Sequence, residues 1–296
     1  MKIGFIGLGN MGAPMVKRLV AAGHEITGYD VLESAMAALS EVKMNFSNDI
    51  LTAAREQEVV ITMLPNGKVL KGVAEAILPI MPKGACFIDC STIDMSTTRH
   101  VAKLLKNRAI HVLDAPVSGG VGGAVTGTLT FMVGGSEESF AIGKPLLEIM
   151  GQRVIHCGID GAGQAAKICN NMILGVTMIA TCEAFALADD LALDRQKLFD
   201  VVSTSSGNSW SMSTYCPAPG VGPKSPSDNN YLPGFSAALM LKDLTLSQQA
   251  AEINGTPTRA GKLALDIYKD FVESRNGESL DFSAILQSLT SRSKDQ

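Results

Sequence analysis

Residues 2–30 restrict the fold more than any other stretch of this chain. Lys2-Ile-Gly-Phe-Ile-Gly7 reads as a short buried strand, and Gly7-Leu-Gly9-Asn-Met-Gly12 follows it. Ala13 to Ala22 has helical spacing, and Glu25-Ile-Thr-Gly-Tyr-Asp30 reads as a second strand ending in an acid. Strand, G-x-G-x-x-G, helix, strand and an acid about 20 residues on is the order of a dinucleotide-binding βαβ unit. Gly7 makes the tight turn, Gly9 lets backbone approach a pyrophosphate, and Gly12 lets helix pack on strand. The pyrophosphate then meets free N–H groups at a helix start, with Asn10 and Met11 in the same turn. Asp30 is placed to accept hydrogen bonds from ribose hydroxyls. Its charge repels a 2′-phosphate, and no arginine follows it, so the expected cofactor is NAD rather than NADP.

The alternation continues. Val59–Leu64 runs into Pro65, Cys86–Cys90 into Ser91-Thr92, and Ile110–Asp114 into Ala115-Pro116, with helical stretches near 67–81 and 95–107 between them. Leu129–Val133 and Arg153–Cys157 read as two further strands around a helix at 137–150. This pattern is α/β, a Rossmann-type doubly wound parallel sheet whose ligand lies beyond the carboxyl ends of its strands. Leu64, Pro65, Ser91 and Thr92 stand at such ends, as cofactor contacts or as ordinary turn residues. Asp114-Ala-Pro-Val-Ser118-Gly119-Gly120-Val-Gly-Gly123 clusters backbone donors in a nest suited to a carboxylate, and Ser118 adds a hydroxyl. The alternative is a flexible loop.

From Gly161 to Leu191 there is no proline and, past Gly163, one glycine, Gly175. The expectation is one long helix (161–191) leaving a domain of residues 1–160 and acting as its joint. Offsets of three and four place Lys167, Asn170 and Asn171 on one face; the plain reading is a lysine snorkelling from a helix end. Residues 192–296 read as an all-helical domain. Asp194 is an expected N-cap, Cys216–Pro233 a proline-rich loop, and helices are expected from Phe235, near 257–274 and from Asp281. Ser291–Gln296 is expected to fray. Trp210, Tyr215 and Phe235 flank the proline-rich loop, as a substrate wall or as plain packing.

The chain has 296 residues, 46% hydrophobic and 18% charged, with net charge −4 and no basic tract. Nucleic acid and anionic membrane are therefore poor partners. Lys167, Glu183, Asp189 and Asp190 argue against insertion of the long helix in a bilayer. No targeting segment is expected, because the first strand begins at Lys2. The six scattered cysteines read as reduced thiols, and the four histidines lack ligand spacing, so no metal is expected. Apolar helices in this number make a homodimer or homotetramer the expected assembly.

In order, the chain carries Gly4-Phe-Ile-Gly-Leu-Gly-Asn-Met-Gly12, Met63-Leu-Pro65, Asp114-Ala-Pro-Val-Ser-Gly-Gly120, Gly161-Ala-Gly-Gln-Ala-Ala-Lys-Ile-Cys-Asn-Asn171 and Lys242-Asp-Leu244. Together these resemble the β-hydroxyacid dehydrogenase family over essentially the whole chain. The resemblance implies a catalytic Lys167, with Asn171 orienting substrate beside it and Asn170 nearby. It implies a carboxylate cradle of Ser118, Gly119 and Gly120. It implies cofactor contacts at Leu64, Pro65, Thr92 and Lys242, with Asp243 at the substrate. Asn66-Gly-Lys-Val69 departs from relatives that carry a small polar cofactor contact there. The implied reaction is reversible hydride transfer between NAD and a short β-hydroxy acid, 3-hydroxyisobutyrate foremost, with tartronate, succinic semialdehyde or glyoxylate as alternative substrates. Free lysine titrates near 10.4, so burial would have to lower it toward roughly 7–8 for base catalysis. A non-catalytic NAD-binding sensor needs only the first domain, and the joint presence of Lys167, Asn171 and Ser118 argues against it. The implied compartment is the cytoplasm of a bacterium or the mitochondrial matrix of a eukaryote.

Overall fold

A computed structural model describes residues 1–290; the tail Ser291–Gln296 lies outside the described residues. The chain divides into two compact units, Met1–Lys167 and Ile168–Gln296.

In the first unit, β1 (Lys2–Ile6) feeds the glycine turn and α1 (Gly12–Ala21), and β2 (Glu25–Tyr29) returns parallel to it. Three short elements that periodicity did not reveal follow: α2 (Glu33–Ala37), β3 (Asn45–Phe46) and α3 (Ile50–Ala54). Each is too short to establish a helical or strand period. Asp49 caps α3 by accepting from the Thr52 amide at 2.8 Å. Then come β4 (Val59–Thr62), α4 (Gly67–Ile77), β5 (Cys86–Asp89), α5 (Met95–Lys106) and β6 (His111–Asp114). Strands β4 and β5 are buried at every residue, as expected of strands covered by helices on both faces.

The strand order β3-β2-β1-β4-β5-β6 is that of a dinucleotide-binding sheet, and all these pairs are parallel. Beyond β6 the sheet departs from the all-parallel expectation. Strand β7 (Val117–Ser118) and α6 (Gly120–Thr126) lead into β8 (Leu129–Gly134). Ser118 pairs with Thr130 and Val117 with Phe131, both antiparallel. The connection is thus a hairpin-type return with a helix in its bend, which reverses β8 against β6. Helix α7 (Glu137–Met150) then crosses over to β9 (Gly151–Gly158), parallel to β8.

Helix α8 is one continuous element, Ala162–Asp190. By length and composition it could cross a membrane, but Met178, Ile179, Cys182 and Phe185 are core residues of the second unit. Its faces correct one expectation. Lys167 and Asn171 are buried, whereas Asn170 is exposed. At 100° per residue, Asn170 lies about 60° to one side of Lys167 and Asn171 about 40° to the other.

The second unit continues with α9 (Arg195–Val202), capped by Asp194 as expected, and α10 (Trp210–Ser213). Helices α11 (Ala237–Ile253), α12 (Arg259–Ser274) and α13 (Ile285–Thr290) complete it. Gly175 marks a close approach: a Cβ there would lie 3.1 Å from Leu244 and 3.2 Å from Met240 of α11. The proline-rich segment is fastened to its own unit. Tyr231 donates to the Pro217 carbonyl at 2.8 Å, and Asp228 accepts from the Gly220 and Ser225 amides. All six cysteines are free thiols.

Asp281 is the hub of this unit. Its Oδ2 accepts from the Tyr215 hydroxyl and the Gly234 and Phe235 amides, and its Oδ1 from the Ser283 amide and hydroxyl. Removing the carboxylate leaves the two buried Ser283 donors without an acceptor, at about 1–3 kcal/mol each, and three part-buried donors besides. Asp281→Ala is therefore expected to lower the free energy of unfolding by upwards of about 3 kcal/mol, read as a sharply lower urea midpoint. An unchanged midpoint would show that the hub is dispensable.

Candidate active site

The glycine turn is built as the sequence requires. Gly7 has φ +99°, and a Cβ there would collide with the Met63 carbonyl. A Cβ on Gly12 would collide with the Gly7 carbonyl, but one on Gly9 would meet no protein atom within 4 Å. Gly7 and Gly12 thus shape the turn, and Gly9 leaves its backbone open to close approach, which fits a dinucleotide pyrophosphate. Asp30 also supports the turn directly. Its Oδ2 accepts from the Leu8 amide at 2.7 Å and its Oδ1 from the Leu32 amide at 2.9 Å. It ties the glycine turn to the end of β2 and keeps lone pairs for a ribose. Asn10 borders a groove of about 610 Å³ with Lys17, Arg18 and Val121 and none of the other expected cofactor contacts.

Leu64 and Pro65 lie where β4 ends. The Leu64 amide donates to Ser91 Oγ at 2.8 Å, which in turn donates to Asp89 Oδ1 at 2.6 Å. Thr62 donates to the same oxygen at 2.7 Å. Asn66, the position that departs from the family pattern, caps α4 by accepting from the Val69 amide. Thr92 follows Ser91 in the turn between β5 and α5.

Ser118 is the last residue of β7, and Gly119 and Gly120 have φ +127° and +60°. Consecutive positive φ values are open to glycine at little cost. The expected loop over Gly120–Gly123 is instead the first turn of α6, so the cradle ends in helix-start amides.

Asp114, at the end of β6, turns its carboxylate onto the start of α8. Oδ1 accepts from the Gly161 amide at 2.7 Å and Oδ2 from the Gln164 amide at 3.0 Å. Lys167 follows one turn later and is only 7% exposed. Gln164 is fully buried: Nε2 donates to the Ser91 carbonyl at 2.7 Å, and Oε1 accepts from the Ile93 amide at 3.2 Å. Sequence reasoning missed Asp89 and Gln164 and the capping role of Asp114. The available signal was an amide side chain in a helix's first turn, which is too common to single out a site.

In the second unit, Asn171 Nδ2 donates to Asp243 Oδ2 at 2.5 Å, and Asn170 Nδ2 donates to Asn171 Oδ1 at 2.9 Å. Asn170 thus braces Asn171 from the exposed side. Asp243 is buried, and Lys242 Nζ stands 3.5 Å from its Oδ1, an oxygen that accepts no hydrogen bond. Trp210 stacks on Tyr215 at 4.8 Å, Tyr215 meets Phe282 at 5.4 Å, and Phe235 meets Phe282 edge-on at 5.6 Å. The three expected wall residues therefore share one aromatic row with Phe282, in which Trp210 is half-exposed. Among the described residues, no three His, Cys, Asp or Glu side chains are grouped as metal ligands.

Burial raises both strand-end carboxyls to about 6, with the neighbouring Asp114 charge adding to the effect on Asp89. Asp89 and Asp114 are register partners on adjacent strands. Asp89 Oδ2 is buried without a hydrogen-bond partner, which makes its charged form costly. A raised folded-state value favours the protonated fold. The contribution is fully present below the unfolded value near 3.8 and is lost as pH rises through 6.

Residues 2–158 match the NAD-binding domain of 6-phosphogluconate dehydrogenase, and residues 161–289 match the NAD-binding domain of NADP-dependent 3-hydroxyisobutyrate dehydrogenase. A "probable 3-hydroxyisobutyrate dehydrogenase" of Mycobacterium tuberculosis is 46% identical over 98% of each chain. The mitochondrial 3-hydroxyisobutyrate dehydrogenase of Mus musculus is 44% identical, over 97% of this chain and 86% of its own. A solved structure of the M. tuberculosis enzyme with L-serine superposes with a TM-score of 0.93 at 45% identity, covering 97% of this chain and 98% of that one.

Two outcomes are expected. Gly9→Ala should melt like the wild type yet bind NADH at least tenfold more weakly, about 1.4 kcal/mol, whereas Gly12→Ala should lose stability as well. Wild-type NADH affinity in Gly9→Ala would contradict the close approach. In urea titrations at pH 5 and pH 7, Asp89→Asn should lose less stability than the wild type on going to pH 7. Equal losses would show that Asp89 does not titrate there.

Proposed function

The chain belongs to the 3-hydroxyisobutyrate dehydrogenase branch of the β-hydroxyacid dehydrogenases and is an NAD-binding oxidoreductase, and from that premise we propose that it oxidises 3-hydroxyisobutyrate to methylmalonate semialdehyde, a step of valine breakdown. The observation that carries this reading is the burial of Lys167 on a helix whose start is bonded to Asp114, the residue that opens the Ser118-Gly119-Gly120 segment.

NAD, when bound, accepts the hydride released from the carbinol carbon. Neutral Lys167 takes the hydroxyl proton as that hydride leaves, and its ammonium returns the proton in the reverse direction. The Ser118 hydroxyl and the Gly119 and Gly120 amides hold the substrate carboxylate. Asn171, one turn beyond Lys167 on α8 and held by Asp243, offers its second N–H to the substrate. Leu64, Pro65 and Thr92 contact the cofactor from strand ends. Lys242 serves the nicotinamide end, and Trp210 and Phe235 wall the substrate. Asp30 disfavours a 2′-phosphate, which supports NAD over NADP. Self-association is part of the proposal, and the exposed Ile173 and Leu187 on α8 support it.

A panel of 3-hydroxyisobutyrate, tartronate, succinic semialdehyde and glyoxylate, each with NAD(H) and NADP(H), tests the reading. We expect 3-hydroxyisobutyrate with NAD to give the highest kcat/KM. Lys167→Ala should abolish turnover while NADH titration stays near normal. A preferred rival substrate would move the enzyme within the family, and full activity in Lys167→Ala would remove lysine from the chemistry.

A further inference from the structure

We propose that Gln164 is the positioning residue of the reaction: it holds the first turn of α8, and with it Lys167, at a fixed distance from the β5–α5 turn that carries Thr92. The inference rests on the reading of Lys167 as the proton carrier.

The first turn of α8 has no room to shift. A Cβ on Gly163 would run into the Met132 and Asp114 carbonyls, and one on Gly134 would press against Asp114 and the Ala162 amide. Backbone thus lies on backbone there, and Asp114 fixes the helix along its axis through the Gly161 and Gln164 amides. Rotation about that axis is what remains to be set. Gln164 sets it, because its side chain reaches across to the next strand end, donating to the Ser91 carbonyl and accepting from the Ile93 amide. These two bonds bracket Thr92. Ser91 in turn receives the Leu64 amide and donates to Asp89. One buried amide therefore links the strand ends that carry Leu64 and Thr92 to the helix that carries the proton donor.

Glutamine suits this place because it donates and accepts at once. Methionine would fill the space with neither function. Glutamate would accept from Ile93 but set a carboxylate against the Ser91 carbonyl. Only its protonated form could replace the lost donor, and burial favours that form. Misplacing a catalytic group by about 1 Å can cost on the order of 10²-fold in rate. The loss should fall on kcat and kcat/KM together, since the interaction matters in the transition state.

The test uses full-length Gln164→Met and Gln164→Glu, with rates divided by the number of NADH-binding sites found by titration. Gln164→Met should lose on the order of 10²-fold in kcat with the KM for 3-hydroxyisobutyrate unchanged. Gln164→Glu should recover toward the wild-type rate as pH falls, while Gln164→Met does not. A purely structural role would reduce the number of binding sites but leave the rate per site alone. Wild-type kcat per site in Gln164→Met overturns the proposal, as does a pH-independent ratio of Gln164→Glu to wild type. Lys167→Ala separates the two readings. If it stays active, the lysine mechanism has failed; if it is dead while Gln164→Met is normal, only the positioning role has failed.

Discussion

The carboxylate of Asp114 against the start of α8 is the contact on which the rest of the first unit depends. A helix begins with backbone N–H groups that have no partner inside the helix, and its start carries partial positive charge. Asp114 meets two of those groups, Gly161 and Gln164, from the end of β6. Burying this carboxylate is unfavourable, as its raised pKa shows, and the two amides offset part of that cost. The geometric result is twofold. Lys167 is fixed one turn into the helix, and the chain leaving Asp114 enters the segment that carries Ser118, Gly119 and Gly120.

The features legible in the sequence were those governed by neighbours a few residues away. The glycine turn was readable because Gly7, Gly9 and Gly12 act through local backbone geometry, and the Asp194 cap because an N-cap bonds to its own first turn. Strands β4 and β5 announced themselves as short apolar runs. The reversal of β8 was not readable, because it follows from pairing of only two residues of β7. Offsets of three and four put Asn170 and Asn171 on one broad face with Lys167 but on opposite flanks of it, and only the Asn171 flank is buried.

The side-chain network was hidden for a different reason. Gln164 bonds to Ser91 and Ile93, and Asn171 to Asp243, across long stretches of chain. Nothing in local composition marks which distant carbonyl a buried amide will meet. Gly175 is an instructive intermediate case. As a lone glycine in a helix it was visible, and its purpose, the approach of α11 that brings Asp243 to Asn171, required the packing to be known. Among the described residues three buried side-chain acceptors, Gln57 Oε1, Asp89 Oδ2 and Asp243 Oδ1, are left without hydrogen bonds, the last two beside expected site residues. Such incomplete pairing is uncommon in folded proteins and tends to collect where function is exercised.

The central claim is spatial: a buried amine on α8 serves the reacting oxygen of a hydroxy acid whose carboxylate rests on the Ser118-Gly119-Gly120 amides. The most direct measurement is a crystal structure of the complex with NADH and 3-hydroxyisobutyrate. The account predicts Lys167 Nζ within hydrogen-bond reach of the substrate hydroxyl, about 2.6–3.2 Å, with the carboxylate on the Gly119 and Gly120 amides. An acid bound with its carboxylate elsewhere, or with Lys167 turned away from the hydroxyl, would contradict it.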